Sequence, residues 1–143
     1  KPRNGRKTGR LALKTTAWPR RPAETRHDDV YIHRPIPDTQ GNVQVGLIND
    51  RLGLGLYWKF PFKEMPVITH WQHFHRGTYV TGIEPGNVSM LGRALNQKHG
   101  YLKHIQPCEV REFHLEMGVL EGERNIRAFE RRVRQGLRQR TKK

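Results

Sequence analysis

An all-β antiparallel sandwich closed by a C-terminal helix is the fold class this sequence predicts. Three observations predict it. Apolar and polar residues alternate at period two in separate stretches, Gly, Pro, Asp and Asn punctuate the gaps, and only the end of the chain changes to helical spacing. Asp28 to His33 reads as the first strand, and the turn Asp38-Thr39-Gln40-Gly41 leads into a second over Asn42 to Asn49. Gly53 to Phe60 is the third, while Val67 to His75 and Thr78 to Glu84 follow, joined at Arg76-Gly77 in a tight hairpin. In a last strand over Arg111 to Val119, Phe113, Leu115, Met117 and Val119 share one face, and Glu112, His114 and Glu116 share the other. That pattern predicts one buried and one wet face, as in an antiparallel sheet. From Glu121 to Leu137, Ile126, Phe129, Val133 and Leu137 recur at intervals of three and four, and acids at the start with arginines at the end suit the helix dipole.

Charge divides the chain. Residues 1–26 carry nine Lys and Arg against one acid, residues 124–143 again nine against one, and residues 27–123 nine against eleven, so +8, +8 and −2 sum to the net +14. This division predicts a basic N-terminal arm over 1–26, extended or disordered, a domain over 27–137 and a basic tail over 138–143. A net charge this high suits nucleic acid or an anionic surface. Its confinement to the two ends argues for solvated extensions on a nearly neutral body instead. The arm lacks the apolar stretch of a secretory signal, and no run approaches the roughly 18 apolar residues of a membrane span. Cys108 is the single cysteine, so an intramolecular disulfide and a cysteine-based zinc site are both excluded and a cytoplasmic location is expected.

The densest chemical signal is YVTGIEPGNVSMLGR, Tyr79 to Arg93, where a strand pattern ends in the lone carboxylate of Glu84. Pro85 and Gly86 are expected to stop the strand there, leaving Glu84 at the rim of a sheet. A carboxylate held by a rigid turn suits general-base work, which needs the group within about 3 Å of the proton it removes. Capping the turn or pairing with an arginine is the competing structural role. Arg93 follows the same turn; it could grip a carboxylate or phosphate on a ligand, or neutralise Glu84. Asn87 suits a hydroxyl contact or the turn itself.

The histidines form the second signal. Trp71, His73 and His75 fall on one face of their strand, and His70, Gln72 and Phe74 on the other. His73 and His75 could chelate a metal given a third ligand from His33, His114 or Glu84. Hydrogen bonding at a polar face, or to sugar hydroxyls beside the flat Trp71 ring, is preferred, and neither a metal nor another cofactor is expected.

IEPGN with Gly92-Arg93, the LGLGLYWKF run before Met65-Pro66, Trp71-Gln72, and Pro107 leading into LEMGVLEGE together resemble the C-terminal half of galactose mutarotase-like, or aldose 1-epimerase-like, proteins, over about Glu24 to Val133. The resemblance implies part of a β-supersandwich and isomerase chemistry. It implies that Glu84 removes the anomeric proton and that the histidine acid for the ring oxygen lies upstream of the matched stretch; beside such a base, Arg93, Trp71, His73, His75 and Asn87 are the expected substrate contacts. A whole supersandwich needs about twice this length, so the chain is expected to be a fragment, a truncated product or a degenerate relative, in keeping with its start at Lys1. Exposed strand edges and an apolar face would then be covered by another chain or a homodimer partner. Cys108 stands in PCE where such proteins have PGE, which implies a turn that favours glycine. Three functions follow: an epimerase acting on a sugar or sugar acid, a non-catalytic carbohydrate-binding module, and a nucleic-acid-associated protein using its basic ends.

Overall fold

A computed structural model describes residues 28–141, with side chains to residue 136. The expected N-terminal arm lies outside the described residues. Six strands, β1 (Asp29–His33), β2 (Asn42–Asn49), β3 (Leu54–Pro61), β4 (Val67–His75), β5 (Thr78–Gly86) and β6 (Glu116–Glu121), form two three-stranded antiparallel sheets. Sheet A has the order β1-β4-β5 and sheet B the order β2-β3-β6. Two helices, α1 (Arg93–Lys98) and α2 (Gly122–Thr141), complete the described structure.

Local chemistry makes the turns. The Asp38 carboxylate accepts the Gln40 and Asn42 amides, both at 2.9 Å, and Gly41 supplies the positive φ that reverses the chain into β2. Asn49 plays the same part after β2, accepting the Leu52 amide at 3.1 Å.

Sheet B carries a packed cluster on each face. Toward sheet A it presents Val43, Trp58 and Phe60, which close with Met65 and Ile68 into the main core, flanked by Val45, Leu47, Phe62 and Ile83. On its other face Leu120 packs with Ile126 and Phe129 of α2, beside Ile48, Tyr57 and Val133. Gly46, Tyr57 and Gly118 align across β2, β3 and β6. Their alignment explains how the helix seats. A Cβ at Gly46 would lie 2.7 Å from Phe129 Cε1, and one at Gly118 2.6 Å from Tyr57 Cε1, so glycine on either side of Tyr57 makes room for two aromatic rings, whose centroids are 5.8 Å apart.

Three expectations are corrected. Pro85 and Gly86 do not stop β5, which continues to Gly86 with Pro85 opposite Ile68. Here β5 is an edge strand, the place in a sheet where proline is tolerated. The last strand starts at Glu116, and Phe113, Leu115, Met117 and Val119 are 49–65 % exposed. Here β6 is the edge of sheet B, and no described residue covers this part of the inner face; Leu120, on the opposite face, is the β6 residue buried under α2. Helix α2 runs on to Thr141, past its expected end at Leu137.

Several exposed apolar side chains gather at the open edge between the sheets. Leu54, Leu56 and Val119 of sheet B face Phe74 and Tyr79 of sheet A across a cleft of about 400 Å³. The isolated chain is expected to self-associate through this cleft at micromolar concentration, as contiguous apolar surface does. Sedimentation should show species above 16.8 kDa that revert to monomer in Leu56→Lys/Val119→Lys. A monomeric wild-type chain would contradict this.

Cys108 is exposed with φ +63°, the left-handed region that glycine adopts without strain. Cys108→Gly is expected to raise stability by up to about 1 kcal/mol, since relief of backbone strain exceeds the added freedom of the unfolded chain. Thermal melting of the variant under reducing conditions checks this; a lower melting temperature would contradict it.

Candidate functional site

The outer face of sheet A, turned away from sheet B, gathers most of the chemistry. Antiparallel register places Trp71 opposite Gly82 and Thr69 opposite Glu84, so Trp71, His73, His75, Gly82 and Glu84 all project on this face. Gly82 decides what happens between them. A Cβ built there would lie 2.8 Å from Glu84 Oε1 and 3.6 Å from Trp71 Cε3, so the exposed carboxylate folds back over the glycine and lies alongside the indole. Farther along β4 the Trp71 and His73 rings are 5.9 Å apart, and His73 stacks on His75 at 4.1 Å with planes 10° apart.

Asp28, just before β1, joins this row through the register of its strand. Asp29 pairs with Gln72, which brings Asp28 alongside His73, and its carboxylate hydrogen-bonds His73 Nδ1. Hydrogen bonding from His73 first, and from the Trp71 side chain second, holds the exposed Asp28 carboxyl below its ordinary value. The same bonds fix the orientation of both rings.

The opposite face of β4 carries a buried polar cluster. Thr81 donates its hydroxyl proton to the Trp71 carbonyl at 2.7 Å, and His70 Nε2 lies 2.9 Å from the Thr81 hydroxyl oxygen. The Gln72 amide lies 3.2 Å from the same nitrogen, and His33 lies 5.8 Å away ring to ring. Burial lowers the pKa of both His70 and His33, with the nearby His33 charge adding to the effect on His70. As pH falls through the ordinary imidazole value of 6.5, the unfolded chain takes up protons that these rings resist in the fold. Stability that is complete above that value is therefore lost below it. Thermal melts should show the loss between about pH 7.5 and about pH 5.5, with a shallower slope in His70→Gln; an unchanged slope would contradict it.

The proposed site residues are therefore not all brought together. Trp71, His73, His75 and Glu84 share one surface. Asn87 follows the end of β5, half-buried, and Arg93 begins α1, exposed. Among the described residues no hydrogen bond or ion pair joins Arg93 to Glu84. The expected third metal ligands also fall elsewhere. His33 projects on the inner face, His114 bonds Glu64 at 3.0 Å, and Glu84 sits beyond Trp71 from His73 and His75. Asp28 stands in their place, a residue sequence reasoning missed because its approach to His73 depends on the pairing of β1 with β4. Helix α1 was missed too. It is a short segment anchored by Asn96, whose amide donates to the Ser89 carbonyl at 2.7 Å while its oxygen accepts the Ser89 hydroxyl at 2.9 Å.

The family described as "Domain of unknown function (DUF4432)" matches residues 2–119. The chain belongs to this family. Within it, the matched stretch contains every candidate residue of the outer face, Asp28 included. No curated protein matches the chain. A crystal structure from Klebsiella pneumoniae subsp. pneumoniae, described as a "putative aldose 1-epimerase", is similar in fold, with a TM-score of 0.81 at 24 % identity. The similarity covers 88 % of this chain and 33 % of that one. This member of the DUF4432 family thus has an aldose 1-epimerase-like fold, as the sequence resemblance implies, and spans about a third of that chain. Among the described residues no helix is long and apolar enough to cross a membrane.

Proposed function

We propose that the outer face of sheet A is a sugar-binding surface of the aldose 1-epimerase type, with Glu84 as the base that removes the proton of the anomeric hydroxyl. The observation that carries this reading is the shared space over Gly82, where a carboxylate and an indole ring lie side by side on an open sheet face. An aldose laid on the apolar plate of Trp71 presents its rim hydroxyls to the groups around it. Glu84 accepts from the anomeric hydroxyl at one edge, and His73 and His75 contact hydroxyls at the other. Loss of the anomeric proton, with protonation of the ring oxygen, opens the C1–ring-oxygen bond to the free aldehyde, and reclosure on either face exchanges the anomers.

The acid is the weak point of the chain alone. His73, held by Asp28, lies on the far side of Trp71 from Glu84, and among the described residues no histidine hydrogen-bonds Glu84. This chain by itself therefore binds sugars and exchanges anomers slowly, and exchange at an ordinary enzymatic rate needs an acid supplied from outside it. Anomer-exchange NMR over aldoses, uronic acids and sugar phosphates tests the reading. Exchange above the buffer rate that disappears in Glu84→Gln supports it, and exchange unchanged in that variant would refute it. Sugar binding without exchange would leave the binding-module reading. Binding of nucleic acid that falls steeply with salt and is lost when residues 1–26 and 138–143 are deleted would favour the basic ends instead.

Gly82→Ala is a sharper probe of the geometry. The added methyl displaces the mobile end of Glu84 and leaves the backbone untouched, so melting temperature should hold while the Glu84-dependent exchange drops. Exchange equal to wild type would show that the placement of Glu84 over Gly82 is immaterial.

A further inference from the structure

We propose that Asp28, His73 and His75 form a binding site for a divalent transition-metal cation, zinc foremost, on the outer face of sheet A. This goes beyond the sugar-binding reading and does not rest on it. One donor atom from each residue, a carboxylate oxygen and two imidazole nitrogens, lies within 4.8 Å of the others. The backbone makes this arrangement. His73 and His75, two apart on β4, must project on one face, and the antiparallel pairing of β1 delivers Asp28 to the same spot from the neighbouring strand.

Three details favour a cation over a simple hydrogen-bonded cluster. The His73 and His75 rings stack face to face, centroids 4.1 Å apart and planes 10° apart, which keeps a nitrogen of each within 4.8 Å of the other and of the Asp28 carboxylate. His75 Nε2 is buried and makes no hydrogen bond, an arrangement that costs free energy in a folded protein unless the ring has another partner. The Asp28 carboxylate, already hydrogen-bonded to His73 Nδ1, supplies negative charge without a neighbouring Lys or Arg in that contact to neutralise it. Two imidazoles with one carboxylate are donors suited to zinc and its first-row neighbours, whereas calcium and magnesium favour all-oxygen shells.

Zinc–ligand bonds of about 2.0–2.2 Å place donors about 3 Å apart. Rotation of the exposed Asp28 side chain is enough to open its contact with His73 and admit the ion, which displaces the proton they share. Three protein ligands on a solvent-facing surface leave a coordination position open. Because Trp71 adjoins His73, a ligand hydroxyl lying on the indole could take that position, replacing the contact that the two imidazoles make in the absence of the ion.

Calorimetric titration of the 143-residue chain with zinc chloride, without sugar, tests the site. One zinc ion per chain is expected, with binding weakened at least about tenfold in His73→Ala and in His75→Ala and several-fold in Asp28→Asn. Cobalt(II) should give the visible bands of a low-symmetry site in the wild-type chain and lose them in His75→Ala. His114→Ala, a histidine outside the site, should bind as wild type. Circular dichroism and His75→Gln separate ligand loss from misfolding, because a folded His75→Gln chain must still show the weakening. Absence of stoichiometric zinc binding, binding unaffected in His73→Ala and His75→Ala, or equal loss in His114→Ala would each overturn the proposal.

Discussion

Phe129→Ala is expected to lower stability by about 3–5 kcal/mol and to loosen α2 from sheet B. Phe129 is 4 % exposed and, with Ile126 and Leu120, makes up the buried centre of that interface. Its ring also fills the space that Gly46 leaves open and packs beside Tyr57. Removing it leaves a cavity that the sheet cannot close, since β2 and β3 are fixed by their ladder. The opposite change should also destabilise. Gly46→Val drives a branched side chain into the Phe129 ring, at a cost of about 1–3 kcal/mol. Thermal unfolding checks both, with amide exchange across α2 to localise the first. A melting temperature for Phe129→Ala within a degree or two of wild type would mean that α2 contributes little to the fold. Apolar packing, not charge, holds the helix: its ion pairs Arg127–Glu123 and Arg134–Glu130 are exposed and worth little.

Glu84→Gln is the second large effect, and it falls on chemistry. Removal of a general base typically costs a factor on the order of 10²–10⁴ in rate. A chain that lacks a facing acid starts from a small acceleration, so this loss should return anomer exchange to the rate of buffer alone. Stability should scarcely change, because Glu84 is exposed and among the described residues makes no hydrogen bond or ion pair. Sugar affinity should change little too, since glutamine keeps the shape and an acceptor oxygen. This separation of rate from binding and stability distinguishes a base from a residue that merely shapes the surface. Equal loss of binding and rate in Glu84→Gln would make Glu84 a binding residue.

Periodicity carried most of the fold. β2 and β4 have the bounds read from sequence, and β1 and β3 begin one residue later than expected, because turn chemistry at Asp38, Gly41 and Gly77 marks the strand ends directly. The last strand was misplaced for a physical reason. Phe113 and Leu115 alternate as strand residues do, yet among the described residues no partner strand lies beside them, and alternation carries no information about what covers a face. The site was legible in part. Strand geometry alone puts Trp71, His73 and His75 on one side, and the aldose 1-epimerase resemblance singled out Glu84. What alternation could not supply was register. The closeness of Glu84 to Trp71 depends on Gly82 standing opposite the indole, and the arrival of Asp28 depends on β1 pairing with β4 across more than forty intervening residues. Cys108 shows a resemblance reporting on backbone geometry: a position read as favouring glycine has φ +63°.

The most direct measurement of the central claim is a two-dimensional NMR titration of the labelled chain with the aldose and uronic acid panel. Shifts are expected to be confined to the outer face of sheet A, strongest at the Trp71 indole and at the amides of Gly82 and Glu84, with weaker shifts toward His75. Shifts centred instead on the polar groove of Tyr57, Lys59 and Arg132 beneath α2, or no shifts with any sugar, would contradict it.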